Sequence, residues 1–470
     1  MRRLNLTAAA CLACAATFGA AGVADAGVRV AAPQLAPKFK AAVHDYTLPA
    51  SACSKPFPLV VRATGATAGR IGAGRPFRGL RTRRLRLTPG QAVPVLARTG
   101  RRSTRYYVRC LPKDFPAYRY RSFGRARTPF FVVTVGHYVA IFDRNGVPVW
   151  WHRGRTEVID GKVLPGGLIA FARYFGGGYG VDKRIAYELR RPNGKLVRTL
   201  RARQAITDFH ELQPTPDGNF VLLSYKKRPN PIDLSAFNGD ADATVLDAVI
   251  QKLSPTGKRL WSWNSKHHIG LAETGRFYED LEEPYDIVHV NSIQPLAGND
   301  YLVSFRHTDS VYRIDGATGD VEWKLGGTPT PRSLQVVGDP LGGYPLGAQH
   351  DARMLPDGTI TIHDNGSDLS RPPRSLRYRL EGDTATLVGS QFDKGAPSSF
   401  CCGSSRLAGG AWLTSWGGTP LVSEFFRGRR TFSLRFLDED AFSYRANTVT
   451  RETGLGKLRR GMNLMTPPKR

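Results

Sequence analysis

The 470-residue chain reads as an all-β protein, a six-bladed β-propeller preceded by a small β-sandwich-like N-terminal domain. Three observations predict this. A turn recurs along the chain, at Pro216, Asp217 and Gly218, at Leu296, Ala297 and Gly298, and at Pro356, Asp357 and Gly358, with further copies at Leu164 to Gly167 and Leu407 to Gly410. Each turn leads into a β-prone run: Leu168 to Ala170, Phe220 to Tyr225, Tyr301 to Phe305, Thr359 to His363, and Ala411 to Trp416. In several copies a second strand pair then turns on a glycine, as in Ala140 to Asp143 and Val147 to Trp151 about Gly146. The pairs Val249 to Leu253 with Arg259 to Trp263, and Ser310 to Ile314 with Asp320 to Leu325, repeat it. Four short strands per copy, separated by Gly turns, is the pattern of a propeller blade. Counting copies by their turns gives about six blades, the first closed by a strand from the C-terminus.

Arg2 and Arg3 precede an Ala-rich apolar stretch from Leu6 to Val23, and Ala24, Asp25 and Ala26 form a small-x-small cleavage pattern. Residues 1–26 are therefore expected to be a signal peptide cut after Ala26, and the mature chain to be secreted or associated with the cell envelope. No later apolar run is long enough to span a bilayer, so no membrane span is expected. Residues 30–120 read as the β-rich N-terminal domain. In an oxidising compartment the obvious disulfide joins Cys53 to Cys110, which bracket that β-rich stretch. Cys401 and Cys402 are adjacent, where a mutual bond is a strained ring, and two buried or externally paired thiols are the plainer reading. Residues 125–450 form the propeller, and residues 451–470 a basic tail ending in a frayed Pro467, Pro468, Lys469 and Arg470.

The formal charge of +28 becomes +27 once the first 26 residues are set aside. An excess of this size attracts anions. The cations concentrate near the N-terminus, at Arg78, Arg81, Arg83, Arg84 and Arg86, without the aromatic interleaving of a nucleic-acid reading module. A nucleic-acid partner is not expected, and a homo-oligomer stays open.

Three histidines share one phase of the repeat: His210 before Glu211, His289 before Val290, and His350 before Asp351. The innermost strand of a blade lines the channel, so residues opening it face the channel mouth. Alternation puts His289 and Asn291 on one face, and Ser304 and Arg306 on one face of the next strand. Three imidazoles, an amide and a guanidinium can hold zinc with an open position. They can also cradle a tetrahedral oxyanion, because arginine offers a fixed fork of permanent donors. Arg306 beside a metal is unfavourable, and Glu211 and Asp351 are expected to turn to the opposite face, so the oxyanion reading is the better supported. Neither metal nor cofactor is expected. A propeller that only binds an anion or sugar, and a metal-dependent hydrolase or lyase, are the rival classes.

Five motifs resemble the arylsulfotransferase family, in its actinobacterial and fungal branch, in order over residues 125–445. They are Asp208 to Leu212 around His210; His289 to Ser292; Ser304 to His307; Ile314 and Asp315 with Trp323 to Gly327; and Gln349 to Arg353 with Asp364 to Gly366. The resemblance implies a six-bladed propeller moving a sulfuryl group from an aryl sulfate donor to a phenolic acceptor, without a nucleotide sulfate donor. It implies that His350 is the nucleophile, transiently sulfated, with His210, His289, Asn291 and Arg306 around the sulfuryl group. Glu211 departs from the aspartate common elsewhere in the family. Aromatic walls are expected from the loops holding Phe277, Tyr278 and Tyr344, though loop aromatics are as often simple packing.

Overall fold

In the computed structural model, which describes residues 27–393, 400–449 and 454–469, the chain divides into two compact units. The first is Met1–Lys113 with Pro468–Arg470, and the second is Asp114–Pro467. The expected signal peptide, residues 1–26, lies outside the described residues, as do residues 451–453 and 470 of the tail.

In the first unit, strands Val28–Ala31, Phe57–Ala63 and Gly79–Leu85 form a three-stranded sheet. Asp45–Leu48, Arg102–Cys110, Ala92–Thr99 and Thr67–Ile71 form a four-stranded one. Alternating apolar positions such as Phe57, Leu59 and Val61 bury one face of the first sheet against Val95, Tyr106 and Val108 of the second. The expected Cys53–Cys110 disulfide is present, with Cα atoms 5.7 Å apart.

The second unit is a β-propeller, and among the described residues it has six successive sheets with four or five strands each. The innermost strands of the second to fifth sheets are Glu157–Val163, Ile206–Pro214, Val290–Pro295 and His350–Met354, and Cys402–Arg406 opens the sixth. The β-prone runs found after each turn become second strands: Ile169–Tyr174, Phe220–Lys227, Tyr301–Phe305, Ile360–Asp364 and Trp412–Trp416. The first sheet takes its innermost strand from the far end of the chain, where Asn447–Thr448 pairs antiparallel with Phe130–Val135. Reciprocally, Tyr118–Ser122 adds to the outer edge of the sixth sheet beside Arg429–Phe436. Glu424 tightens this closure by accepting from the backbone N–H of Arg127 and Thr128 at 2.8 and 2.6 Å. Within the segment read as a basic tail, Leu455–Met465 forms a helix that buries Leu458 and Met462.

The channel is filled rather than open. Arg445, fully buried just before the closing strand, hydrogen-bonds the carbonyls of His210 and Asn291 at 2.8 Å each. Its guanidinium pairs with Asp160 of the second sheet at 2.9 Å, Glu211 of the third at 3.2 Å and Asp351 of the fifth at 3.1 Å. Lys162 and Arg353 complete the network, Lys162 to Asp160 and Glu211 at 2.8 and 2.5 Å, Arg353 to Glu211 and Asp351 at 2.6 and 2.7 Å. Burial alone raises a carboxyl pKa, yet Arg353, Arg445 and Lys162 together hold Glu211 below its ordinary range. Three cations thus balance three carboxylates. Replacing Arg445 with Met strands the carboxylates in a dry channel, and the expected loss is about 3–5 kcal/mol of stability. Denaturant titration of wild type and Arg445→Met checks it, and a loss within 1 kcal/mol would show the network to be peripheral.

Candidate active site

The histidines reach the channel mouth because the innermost strands of the second to fifth sheets each break their register near the histidine position. Pairing shifts between Ile159 and Lys162, Thr207 and Leu212, Val290 and Ser292, and His350 and Arg353. Extra residues at these bulges rotate side chains out of the regular alternation. His289 and Asp351 take left-handed backbone there, with φ of 48° and 56°. One consequence is a clean split at the motif: His210 and His350 stay at the mouth, while the adjacent Glu211 and Asp351 turn to Arg445.

Each imidazole is oriented through Nδ1. His210 Nδ1 lies 2.7 Å from Asp208 Oδ1, and His289 Nδ1 lies 2.7 Å from Asp286 Oδ2. His350 Nδ1 sits 2.9 Å from the Ala348 carbonyl and 3.1 Å from Asn365 Oδ1. A carbonyl oxygen only accepts, so the proton resides on His350 Nδ1 and the Nε2 lone pair is free. The Nε2 atoms of these three rings make no hydrogen bond with the described residues. Burial, then the neighbouring His210, Arg306 and His289, pushes the His350 pKa well below the usual imidazole value. Burial also lowers His289, against the pull of Asp286.

The rings of His210 and His289 are 5.1 Å apart, and both His210 and His350 lie against Tyr444, at 5.4 and 6.3 Å. The Arg306 guanidinium forms no hydrogen bond or ion pair with the described residues and sits 5.0 Å from the Phe277 ring. Burial lowers its pKa, and a group of this kind remains a cation throughout the physiological range. Asn291 is less available than expected. Its Nδ2 donates to the Gln349 carbonyl at 2.8 Å, while Oδ1 is buried without a partner. Ser304, expected beside Arg306, donates to the same carbonyl at 3.3 Å.

Residue-type reasoning missed several contributors. His307 lies outside the repeat phase, yet its ring is 4.6 Å from His289 and 4.7 Å from Phe277, with Nδ1 donating to the Asp286 carbonyl at 2.6 Å. Ligand atoms of Asp286, His289 and His307 fall within 4.8 Å of one another, with Asp286 Oδ2 and both Nδ1 atoms already engaged in hydrogen bonds. Tyr179 packs edge-on to His289 at 5.9 Å from a loop pinned where the Gly180 N–H donates to Asp208 Oδ2 at 2.7 Å. A Cβ at Gly180 would come within 2.5 Å of the Asp208 backbone, so only glycine permits the approach. Of the loop aromatics, Phe277 reaches the site, whereas Tyr278 stacks on Phe237 and Tyr344 bonds Asp309 at 2.6 Å. Tyr444 also walls a cavity of about 720 Å³ shared with Tyr138, Tyr174 and Phe442.

A family profile described as "Arylsulfotransferase (ASST)" matches residues 181–426, which include all five expected site residues. The chain belongs to the arylsulfotransferase family. A comparison with curated proteins finds no match. Among solved structures, a Bacteroides caccae protein of unknown function is 14% identical, with 68% of this chain and 98% of that one covered and a TM-score of 0.44. A streptogramin B lyase is 12% identical over 69% and 89% of the two chains, with a TM-score of 0.38. The Cps50 (Swd1) β-propeller domain from Myceliophteria thermophila is 11% identical over 71% and 96%, with a TM-score of 0.39. Membership of the arylsulfotransferase family supports aryl sulfotransferase activity in general terms, with small-molecule substrates.

The buried, neutral imidazoles make a pH prediction. With the His350 pKa depressed in the folded chain and about 6.5 in the unfolded one, the unfolded state binds the extra proton, and stability falls as pH drops below about 6.5. The melting temperature of wild type should therefore fall more steeply between pH 7 and 5 than that of His350→Gln. Parallel slopes would show that His350 titrates normally.

Proposed function

We propose that this arylsulfotransferase moves a sulfuryl group from an aryl sulfate to a phenolic acceptor in two halves, through a sulfated His350. The observation that carries this reading is the Nδ1–H of His350 tied to the Ala348 carbonyl, which presents Nε2 as an uncharged nucleophile. In the first half, Nε2 forms a bond to sulfur as the sulfur–oxygen bond to the aryl group breaks. The departing phenoxide, of parent pKa about 10, takes a proton from His210 or His289. In the second half that imidazole accepts the proton of the acceptor phenol, whose oxygen displaces Nε2 from sulfur. Ping-pong kinetics follow.

A sulfate monoester transferring through a loose transition state needs position and charge more than covalent activation. Arg306 supplies the charge, since among the described residues no carboxylate pairs with its guanidinium. His289, whose pKa burial lowers, gains a proton most readily once the sulfate anion lies beside it, because an adjacent negative charge raises an imidazole pKa. Asp208 and Asp286 keep His210 and His289 in the tautomer that presents Nε2. Asn291, anchored to Gln349, holds the wall between the fourth and fifth sheets rather than donating freely to the ligand. Export belongs to the same proposal, on the pattern of residues 1–26 and the Cys53–Cys110 bond.

Two substitutions test the assignment. His350→Asn should abolish both acceptor-dependent phenol release from a chromogenic aryl sulfate and acid-labile labelling of the protein by sulfur-35 donor. Turnover retained by that variant refutes the nucleophile. Arg306→Met should lower kcat/KM for the aryl sulfate by on the order of 100-fold, the scale of losing one preorganised charge donor. A change confined to a few-fold would assign the sulfuryl group to other donors.

A further inference from the structure

We infer that the N-terminal unit docks to a polysaccharide carrying sulfate or phosphate esters, through an arginine face centred on the edge strand Gly79–Leu85. The proposal stands apart from the transfer chemistry. Its first support is charge. Residues 27–113 hold eighteen arginines and lysines against a single carboxylate, Asp45, and no acidic residue occurs between Asp45 and Asp114. Residues 114–467 hold forty-five against thirty-seven, so a general bias toward arginine does not account for the first unit. Most of the net charge of the chain sits on a small β-sandwich.

The second support is placement. Among the described residues Gly79–Leu85 is an edge of its sheet, paired only with Phe57–Ala63. Register puts Arg81 and Arg83 opposite the inward Val61 and Leu59, where an apolar residue would ordinarily lie, and Arg84 opposite Pro58 on the outer face. Arg81 rests over the Phe77 ring at 5.6 Å, and Arg83 Nη1 donates to the Ile71 carbonyl at 2.9 Å. Between them opens a cavity of about 490 Å³ lined also by Arg75. Arg75, Arg78, Arg81, Arg84 and Arg86 are all exposed. One or two charges suffice to protect a sheet edge from pairing. Here forks on both sides of one edge strand, with no carboxylate engaging them among the described residues, match a chain of tetrahedral oxyanions, which arginine binds in bidentate fashion.

The third support separates a polysaccharide from a nucleic acid. Single strands are held by aromatic side chains on which bases stack. Among the described residues of this unit no aromatic side chain is exposed: Phe57, Phe77, Tyr46, Tyr106 and Tyr107 are buried and Phe39 is half-buried. The face offers charge along a groove and nothing for a base to stack on.

Heparin is the probe, with duplex DNA and the carboxylate polymer hyaluronan as comparisons, all titrated against the full chain at about 0.15 M salt. Heparin should bind more tightly than either. Arg75→Gln, Arg81→Gln and Arg84→Gln together should weaken heparin at least tenfold with an unchanged melting temperature. The exposed propeller triple Arg259→Gln, Arg332→Gln and Arg379→Gln, of equal charge loss, should weaken it less than twofold. Equal loss from both triples would reduce the face to general net charge. DNA binding as tight as heparin, or hyaluronan matching it, would overturn the assigned ligand chemistry, and absence of heparin binding would overturn the proposal outright.

Discussion

Arg445 in the channel is the constraint on which the rest of the propeller depends. A ring of sheets leaves an axial space that must be filled, and apolar side chains would fill it without fixing how the sheets are rotated against one another. Here one guanidinium, contributed from the closing end of the ring, touches carboxylates of the second, third and fifth sheets and carbonyls of the third and fourth. Those contacts can be satisfied together in one arrangement only. Buried ion pairs add little net stability compared with apolar packing, but they penalise any alternative register heavily. The two strands exchanged at closure, Tyr118–Ser122 and Asn447–Thr448, then lock the arrangement that Arg445 requires.

The same bulges serve both the plug and the mouth. A regular strand would send residues 210 and 212 to one face and 211 to the other, each at a fixed height. A bulge lets neighbouring residues point along the channel in two layers. His210 and His350 occupy the upper layer, and Glu211 and Asp351 the lower, although each acid follows its histidine directly. Left-handed backbone at His289 and Asp351 is the cost, of order 1–3 kcal/mol at each strained position.

Much of the fold was legible because it rests on local chemistry. Recurring Gly turns followed by β-prone runs marked the second strands, and each run matches a strand seen in the structure. The phase of His210, His289 and His350 was equally plain. What escaped depends on long-range contact. Arg445 looks like any arginine in an arginine-rich chain, and its partners lie from 94 to 285 positions earlier in sequence. His307 sits beside a motif residue, outside the repeat phase, and joins the site only because a short turn after Phe305 brings it under His289. Asn291 was expected to face a ligand by alternation, and the register shift beside it sends its amide to Gln349 instead. Tyr118–Ser122 lies close to the end of the sandwich in sequence, and only its pairing with Arg429–Phe436 assigns it to the ring.

Two demands on the site are met by the same arrangement of two layers. A sulfuryl group needs a cation that no protein anion quenches, while the nucleophile must stay uncharged next to that cation. Carboxylates near Arg306 would spoil both, quenching the cation and stabilising the imidazolium. Asp160, Glu211 and Asp351 are close to the axis, but Lys162, Arg353 and Arg445 consume them in the lower layer, leaving it balanced. The carboxylates that do reach the upper layer, Asp208 and Asp286, are spent on Nδ1 atoms, where they fix tautomers. His350 is exempt from even that: its Nδ1 meets a carbonyl and an amide, neither of which bears a charge that would stabilise the imidazolium. Its neutrality follows from burial beside Arg306 and from neutral partners, so the unpaired guanidinium that attracts the sulfate also keeps the nucleophile unprotonated.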